Sequence, residues 1–280
     1  MLLQFTKPKL YRTMRFYLQL FIFTSMISST MAQTMPVDTS TISIKDTTTT
    51  LFDRRAAIKN YRPSIAGIAV PAVMVGYGFF ALKNPTLLSI NHTTRAELRE
   101  DNPGFSTKID NYLEYSPALA VYALNLAGIH GAHNFRDRTM ILGISALLMT
   151  STVGILKNST HILRPDGSTY NSFPSGHTAT AFMGAQFMWQ EYKDVSPWYG
   201  VAGYAAATAT GVLRLYNNRH WVSDVVTGAG IGILSTKAAY WIYPKLQRLF
   251  IPKSAMNAMI LPTYNAEWKT AGISLVFLPK

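Results

Sequence analysis

The segment from Arg214 to Asp224 contains a histidine and an aspartate at a spacing that suits phosphoryl transfer. His220 and Asp224 are four residues apart, so on a helix the carboxylate can accept a hydrogen bond from one imidazole nitrogen. That bond fixes the tautomer and leaves the lone pair of the other nitrogen free to attack phosphorus. Arg214 can bind the same phosphate through two parallel hydrogen bonds. The alternative for this segment alone is a plain surface His–Asp pair on a helix.

A second segment, Pro174 to His177, is typical of a helix that begins at an anion site. Ser175 is a favoured N-cap residue, and Gly176 allows the backbone to approach a ligand closely. The free amides of a first helical turn bind anions, and His177 would lie there, placed to donate a proton to a bound oxygen. The alternative is a simple capped helix with a surface histidine.

A third segment, ending at Pro165, carries two long cations. If the helix that begins near residue 139 continues to the proline, Lys157, His161 and Arg164 share one face. Lys157 and Arg164 would then lie about 10 Å apart along the axis, a separation that suits a phosphate dianion. The alternative is a basic helix end that interacts with its own dipole.

The three segments together supply cations, free amides, an acid histidine and a nucleophilic histidine, which makes coincidence improbable. In this order they resemble the type 2 phosphatidic acid phosphatase (PAP2) superfamily, whose signature is Lys-x6-Arg-Pro, Pro-Ser-Gly-His and Ser-Arg-x5-His-x3-Asp. The matching residues are Lys157, Arg164, Pro165, Pro174, Ser175, Gly176, His177, Arg214, His220 and Asp224. The resemblance covers roughly residues 60–245, and Leu213 replaces the serine of the third motif.

This resemblance implies an all-α core and covalent phosphohistidine catalysis without a metal or other cofactor. His220 would attack phosphorus, Asp224 would hold His220, and His177 would protonate the leaving oxygen. The phosphate-binding residues would be Lys157, Arg164, Ser175, Gly176 and Arg214. Because Leu213 replaces the serine, one possible hydrogen bond to phosphate is lost. None of the essential roles is lost.

Six apolar stretches must position these motifs, and they predict an all-helical bundle of about six core helices. The stretches are roughly 63–82, 116–130, 139–156, 177–190, 198–213 and 221–243. The first and third are long enough to cross a bilayer. Asp224 and Lys237 on the sixth favour a bundle interior or an aqueous site over lipid. Residues 83–115 are predicted to be a charged loop with a turn at 102–104.

The ends of the chain predict separate segments. Basic residues, an apolar run and small residues make 1–32 typical of an export signal, with an uncleaved anchor as the alternative. A polar linker, the phosphatase-like domain and a C-terminal tail are then expected at 33–60, 61–250 and 251–280. Within the tail, 258–262 and 272–278 predict a small β-hairpin.

Composition limits the function classes. Charged residues make up only 14% of the 280, which favours helices that are buried or in contact with lipid. The lack of cysteine excludes disulfides, a thiolate nucleophile and a cysteine-based zinc site. A net charge of +12 favours anionic lipid or phosphate-bearing partners. No basic run with interleaved aromatic residues is present, so nucleic acid is not an expected partner.

The expected function is hydrolysis of a phosphomonoester on a membrane lipid. If the chain resembles the envelope lipid phosphatases, lipid A phosphate is the leading substrate. Phosphatidylglycerol phosphate, undecaprenyl diphosphate and the soluble substrates of a periplasmic acid phosphatase are alternatives. A vanadium haloperoxidase and a non-catalytic phosphate-binding membrane protein are more remote ones.

The expected location is the cell envelope, either in the inner membrane with a periplasm-facing site or as a membrane-associated periplasmic domain. The basic residues at 54–62 predict that the first span begins in the cytoplasm, which places the motifs outside. A cleaved signal followed by an inward first span would instead place them inside. We expect the outward-facing site.

Overall fold

A computed structural model of the protein describes residues 61, 63–250, 257–265 and 270–278. The predicted signal at 1–32 and linker at 33–60 lie outside the described residues. The described part contains eight helices and two strands. They are α1 (Ile65–Ala81), α2 (Pro85–Asp101), α3 (Asp110–Leu113), α4 (Ser116–Leu126), α5 (Phe135–Thr160), α6 (Gly176–Tyr192), α7 (Pro197–Tyr216), α8 (Val222–Phe250), β1 (Asn257–Asn265) and β2 (Thr270–Leu278). The six apolar stretches correspond to α1 and α4–α8, which confirms the predicted helical bundle.

Helix α6 forms the centre of the bundle and packs against α4, α5, α7 and α8. Most of its side chains are buried. Helix α8 crosses α6 closely because two glycines of α8 face the backbone of α6. A Cβ at Gly228 would lie 2.5 Å from the carbonyl oxygen of Ser175, and one at Gly232 would lie 2.3 Å from that of Ala179. This contact brings the first turn of α8 beside the first turn of α6.

The expectation of a loop at 83–115 is wrong, because most of this segment is helical. Asn84 caps α2 by accepting hydrogen bonds from the backbone N–H groups of Thr86 and Leu87, and Pro85 occupies the first turn. The exposed face of this helix carries charged residues, and for that reason the sequence pattern predicted a loop. Caps and a few buried contacts stabilise the helix. The turn at 102–104 is present, with Phe105 N–H donating to the carbonyl of Asn102.

The expectation that the third apolar helix continues to Pro165 is also wrong. Helix α5 ends at Thr160, and His161 follows with a left-handed φ of 49°. Proline disfavours helical geometry at the residue before it, here Arg164. Lys157 is therefore on the helix and Arg164 on the loop that follows.

Two described helices are long and apolar enough to cross a membrane, Phe135–Thr160 and Val222–Gln247. A third span exists only if α1 and α2, which are bent by 93° relative to each other, count as one. The first apolar stretch is thus one arm of a bent pair, and the sixth qualifies despite its polar residues. Large apolar side chains are exposed along α1 and α5, including those of Val73, Leu147 and Ile155.

The tail contains the predicted hairpin. Strands β1 and β2 pair antiparallel, with Asn257 opposite Leu278 and Asn265 opposite Thr270. Both strands are longer than the sequence pattern indicates.

Candidate active site

His220 is the best candidate nucleophile, and it lies two residues before α8 rather than on that helix as expected. Its side chain is buried, and Nδ1 lies 3.4 Å from Oδ2 of Asp224. The same Oδ2 accepts hydrogen bonds from the hydroxyl of Ser172 at 2.5 Å and from the backbone N–H of Trp221 at 2.9 Å. Oδ2 of Asp224 is thus held by three contacts, and Nε2 is the imidazole nitrogen left for a substrate.

The loop that carries His220 is held from α2. Asn91 donates to the hydroxyl of Ser223 at 3.0 Å and accepts from the N–H of Ser223 at 3.1 Å. Beside it, the guanidinium of Arg95 lies over the ring of Trp221, and the indole of Trp221 donates to the carbonyl of Leu163. Helix α2, which sequence patterns missed, therefore supports the nucleophile.

The start of α6 has the geometry that the sequence analysis expects of an anion site. The hydroxyl of Ser175 accepts a hydrogen bond from the backbone N–H of Thr178, which confirms Ser175 as the N-cap. The helix begins at Gly176, so the first-turn amides point out of its end. A Cβ at Gly176 would lie 4.0 Å from Cε of Lys157, so the lysine reaches this helix end.

The two cations of the first motif converge although they do not share a helix. Nζ of Lys157 donates to the backbone carbonyl of Asn171 at 2.5 Å, and Nε of Arg164 donates to the side-chain oxygen of the same residue at 3.0 Å. The contacts with Asn171 in this loop therefore bring Lys157 and Arg164 together. The sequence analysis expected a continuous helix to do so.

Arg214, near the end of α7, is the most deeply buried of these cations. It donates to Oδ2 of Asp110 at 2.6 Å, whereas its Nε is buried without a hydrogen bond to any described residue. The carboxylate offsets its charge, and the unpaired Nε remains able to donate to a phosphate oxygen.

His177 lies in the first turn of α6. Its Nε2 faces helix α3 and Glu114, the residue that follows α3. This nitrogen is 2.9 Å from Oδ1 of Asn111 and 3.5 Å from Oε1 of Glu114. The carboxylate of Glu114 is buried, whereas the side chain of His177 is 30% exposed. The second ring nitrogen, Nδ1, is therefore the one available to exchange protons with a ligand.

Burial changes the charge states of these groups. It lowers the pKa of His220 to about 4, even though Asp224 opposes the shift, so the imidazole is neutral at pH 7 as a nucleophile requires. Burial, followed by the charge of Arg214, lowers the pKa of His177 to about 4. Burial also raises the pKa of the Glu114 carboxyl to about 7.

The structure brings the eight sequence-predicted site residues to one end of the bundle, where α5 and α7 end and α6 and α8 begin. It adds partners that sequence reasoning missed, namely Asn91, Asp110, Asn111, Glu114, Asn171 and Ser172. The first four come from the segment interpreted as a loop, and the last two lie between motifs. The helix cap at Asn84 could have indicated that part of this segment is helical, but not that it packs against the site.

A metal site is a separate question. Within the described ranges, no three His, Asp or Glu side chains come together as a metal-ligand cluster. Metal independence stays a prediction, and activity in the presence of a chelator tests it.

Comparisons with known proteins match part of this chain to a family. Residues 138–248 match the PAP2 superfamily. The chain is 45% identical over 148 residues to a lipid A 1-phosphatase of Porphyromonas gingivalis, which covers 52% of this chain and 33% of that protein. It is 34% identical over 76 residues to the bacitracin transport permease protein BcrC of Bacillus licheniformis, covering 27% and 36%. The chain thus spans about a third of the length of either relative.

Two solved structures share a more distant likeness. One is Aquifex aeolicus LpxE, with 22% identity, a TM-score of 0.39, and coverage of 51% of this chain and 92% of that one. The other is the first transmembrane PAP2 type phosphatidylglycerolphosphate phosphatase from Bacillus subtilis, with 19% identity, a TM-score of 0.42, and coverage of 66% and 98%. Neither likeness is close enough to transfer side-chain geometry.

Proposed function

Since residues 138–248 match the PAP2 superfamily, we propose that this protein is a membrane phosphatase acting through a phosphohistidine on His220. One observation carries the proposal. A buried imidazole, kept neutral by its burial and fixed by Asp224, lies at the same end of the bundle as the helix N-terminus at Ser175. Binding alone would require the amides and cations but no oriented nucleophile.

The reaction proceeds in two steps. Nε2 of His220 attacks phosphorus, the bond to the leaving oxygen breaks, and His177 gives that oxygen a proton. Water then attacks the phosphohistidine while His177 takes a proton from it, and the P–N bond breaks. During both steps, positive charge and amides offset the charge on the phosphoryl oxygens. The groups that do so are Lys157, Arg164, Arg214 and the amides of the first turn of α6.

The proposed substrate is a phosphomonoester on a membrane lipid, with lipid A phosphate first. The 45% identity to a lipid A 1-phosphatase supports this choice, although that match covers a third of the relative. Exposed apolar side chains on α1 and α5 support contact with lipid at the bundle surface. Phosphatidylglycerol phosphate and undecaprenyl diphosphate are the next choices.

We also propose that the site faces the periplasm from the inner membrane. Helix α5 ends, and α8 begins, at the site, so two membrane-spanning helices would place it at one membrane face. The signal-like 1–32 and the basic residues at 54–62 support the outer face of the inner membrane.

The test compares the purified full chain with a His220→Ala variant on lipid A in mixed micelles. Mass spectrometry should show loss of one phosphate only with the unchanged protein, and acid-labile phosphate should be trapped on His220. Unchanged lipids together with rapid hydrolysis of sugar phosphates would overturn the lipid assignment. Halide oxidation after addition of vanadate and peroxide, without phosphatase activity, would favour the haloperoxidase alternative.

A further inference from the structure

One short turn of chain connects three polar side chains to the catalytic machinery. Asp110, Asn111 and Glu114 lie on α3 and the residue after it. Asp110 binds Arg214, whereas Asn111 and Glu114 both face Nε2 of His177. None of the three belongs to a signature motif. Glu114 is buried, and it binds no arginine or lysine at ion-pair distance among the described residues.

We propose that Asn111 and Glu114 are positioning residues for His177, with Glu114 as the counter-ion of its protonated ring. The inference rests on the proposed phosphatase function and deepens it. The active site would then have two His–carboxylate pairs, one for the nucleophile (His220 with Asp224) and one for the acid (His177 with Glu114).

The hydrogen bond to Asn111 sets the tautomer of His177. A side-chain amide oxygen only accepts hydrogen bonds, so Nε2 of His177 must carry the proton of that 2.9 Å contact. The second proton of the imidazolium is then on Nδ1. This is the proton that the leaving oxygen takes.

Charge explains why a carboxylate is needed there. Burial and the positive charges of Arg214 and Arg164 disfavour the imidazolium form of His177, and the carboxylate of Asp110 opposes them. Asp110 is already paired with Arg214 at 2.6 Å. Glu114, 3.5 Å from the ring, is therefore the anion left for the imidazolium. Its own surroundings include Arg214, Asp110 and the hydroxyls of Tyr115 and Thr180.

Protons and bonds balance over the cycle. As the P–N bond to His220 forms and the P–O bond breaks, Nδ1–H of His177 moves to the leaving oxygen. His177 is then neutral and keeps its Nε2 proton. In the second step Nδ1 takes a proton from the attacking water, the P–N bond breaks, and the imidazolium is again paired with Glu114.

The test uses phosphate esters with good and poor leaving groups, because only a poor leaving group needs the proton. Glu114→Gln should lower kcat about 10- to 100-fold on an alkyl phosphate and less than about threefold on p-nitrophenyl phosphate. Glu191→Gln is the matched control, since Glu191 is a buried carboxylate that contacts a different histidine, His133, at 2.7 Å. It should lower kcat equally on both esters or on neither.

Rescue separates a positioning role from a structural one. In the Glu114→Gln protein, Asn111→Asp places a carboxylate beside the same Nε2 and should recover about tenfold of the lost kcat on the alkyl phosphate. Equal losses on both esters in Glu114→Gln, or no recovery in the double variant when its melting temperature matches that of the single variant, would overturn the inference. If the unchanged protein hydrolyses neither ester and no lipid phosphate, the proposed function itself fails.

Discussion

The backbone N–H of Ser175 donates a hydrogen bond of 3.0 Å to the carbonyl oxygen of Asp224. This bond joins the residue that caps α6 to the carboxylate residue that holds the nucleophile. The anion-binding helix end and the nucleophile are therefore fixed to each other through the main chain, independently of either side chain.

The close crossing of α6 and α8 at this bond predicts a strong effect of a single methyl group. Gly228→Ala would place Cβ 2.5 Å from the carbonyl oxygen of Ser175, so the two helices must separate. We expect a loss of about 1–3 kcal/mol in the free energy of unfolding and a large loss of kcat. Gly143→Ala is the control, because nothing lies within 4 Å of its Cβ. Thermal denaturation in detergent and kcat measure both; equal behaviour of the two variants would contradict the contact.

The second prediction concerns the nucleophile. His220→Ala should abolish turnover and the phosphohistidine, and Asp224→Asn should lower kcat by orders of magnitude with a smaller change in KM. His133→Ala is the control, since it removes another His–carboxylate contact, that with Glu191, outside the site. Normal turnover by His220→Ala would disprove the mechanism, as would complete inhibition by EDTA.

The third prediction is an acidic optimum for kcat/KM, which reports the free protein. His177 must be protonated to act as an acid. Burial and the charge of Arg214 lower its pKa to about 4. We therefore expect kcat/KM on an alkyl phosphate to rise as pH falls from 7 towards 5. Below about pH 4, protonation of His220 should stop the reaction. In the substrate complex, the bound phosphate stabilises the imidazolium of His177. The loss of kcat with rising pH should therefore begin at a higher pH than the loss of kcat/KM. A rise in kcat/KM from pH 5 to 8 would contradict these assignments.

The fourth prediction tests the support from α2. Asn91→Ala leaves the N–H of Ser223 buried without its partner, which should cost about 1–3 kcal/mol and lower kcat by displacing the His220 loop. Thr93→Ala on the same helix is the control, because its hydroxyl bonds only carbonyls of its own helix. Unfolding in denaturant and kcat are the measurements. A normal kcat in Asn91→Ala would show that α2 does not hold the nucleophile.

The sequence predicted which motif residues come together better than it predicted the residues that hold them in place, for a physical reason. Residues such as Ser175 and His220 act through local geometry, a helix cap or a short spacing, which a pattern can reveal. Asn91 and Glu114 act through contacts with residues far along the chain, which no local pattern encodes. The break at Thr160 shows the same limit, because Arg164 reaches the site through its contact with Asn171 rather than through helical periodicity.

The last prediction tests the side of the membrane that the site faces, and the chain has no cysteine that would interfere. Tyr170, which is 65% exposed, lies on the loop between α5 and α6 at the site, whereas Val195, 52% exposed, follows the opposite end of α6. A periplasm-facing site predicts that Tyr170→Cys reacts with an impermeant maleimide in intact spheroplasts and that Val195→Cys reacts only after lysis. Each variant is the control for the other, because both cysteines react once the membrane is dissolved. The reverse pattern would place the phosphatase site in the cytoplasm. Labelling of both in intact spheroplasts would mean that the bundle does not span the membrane.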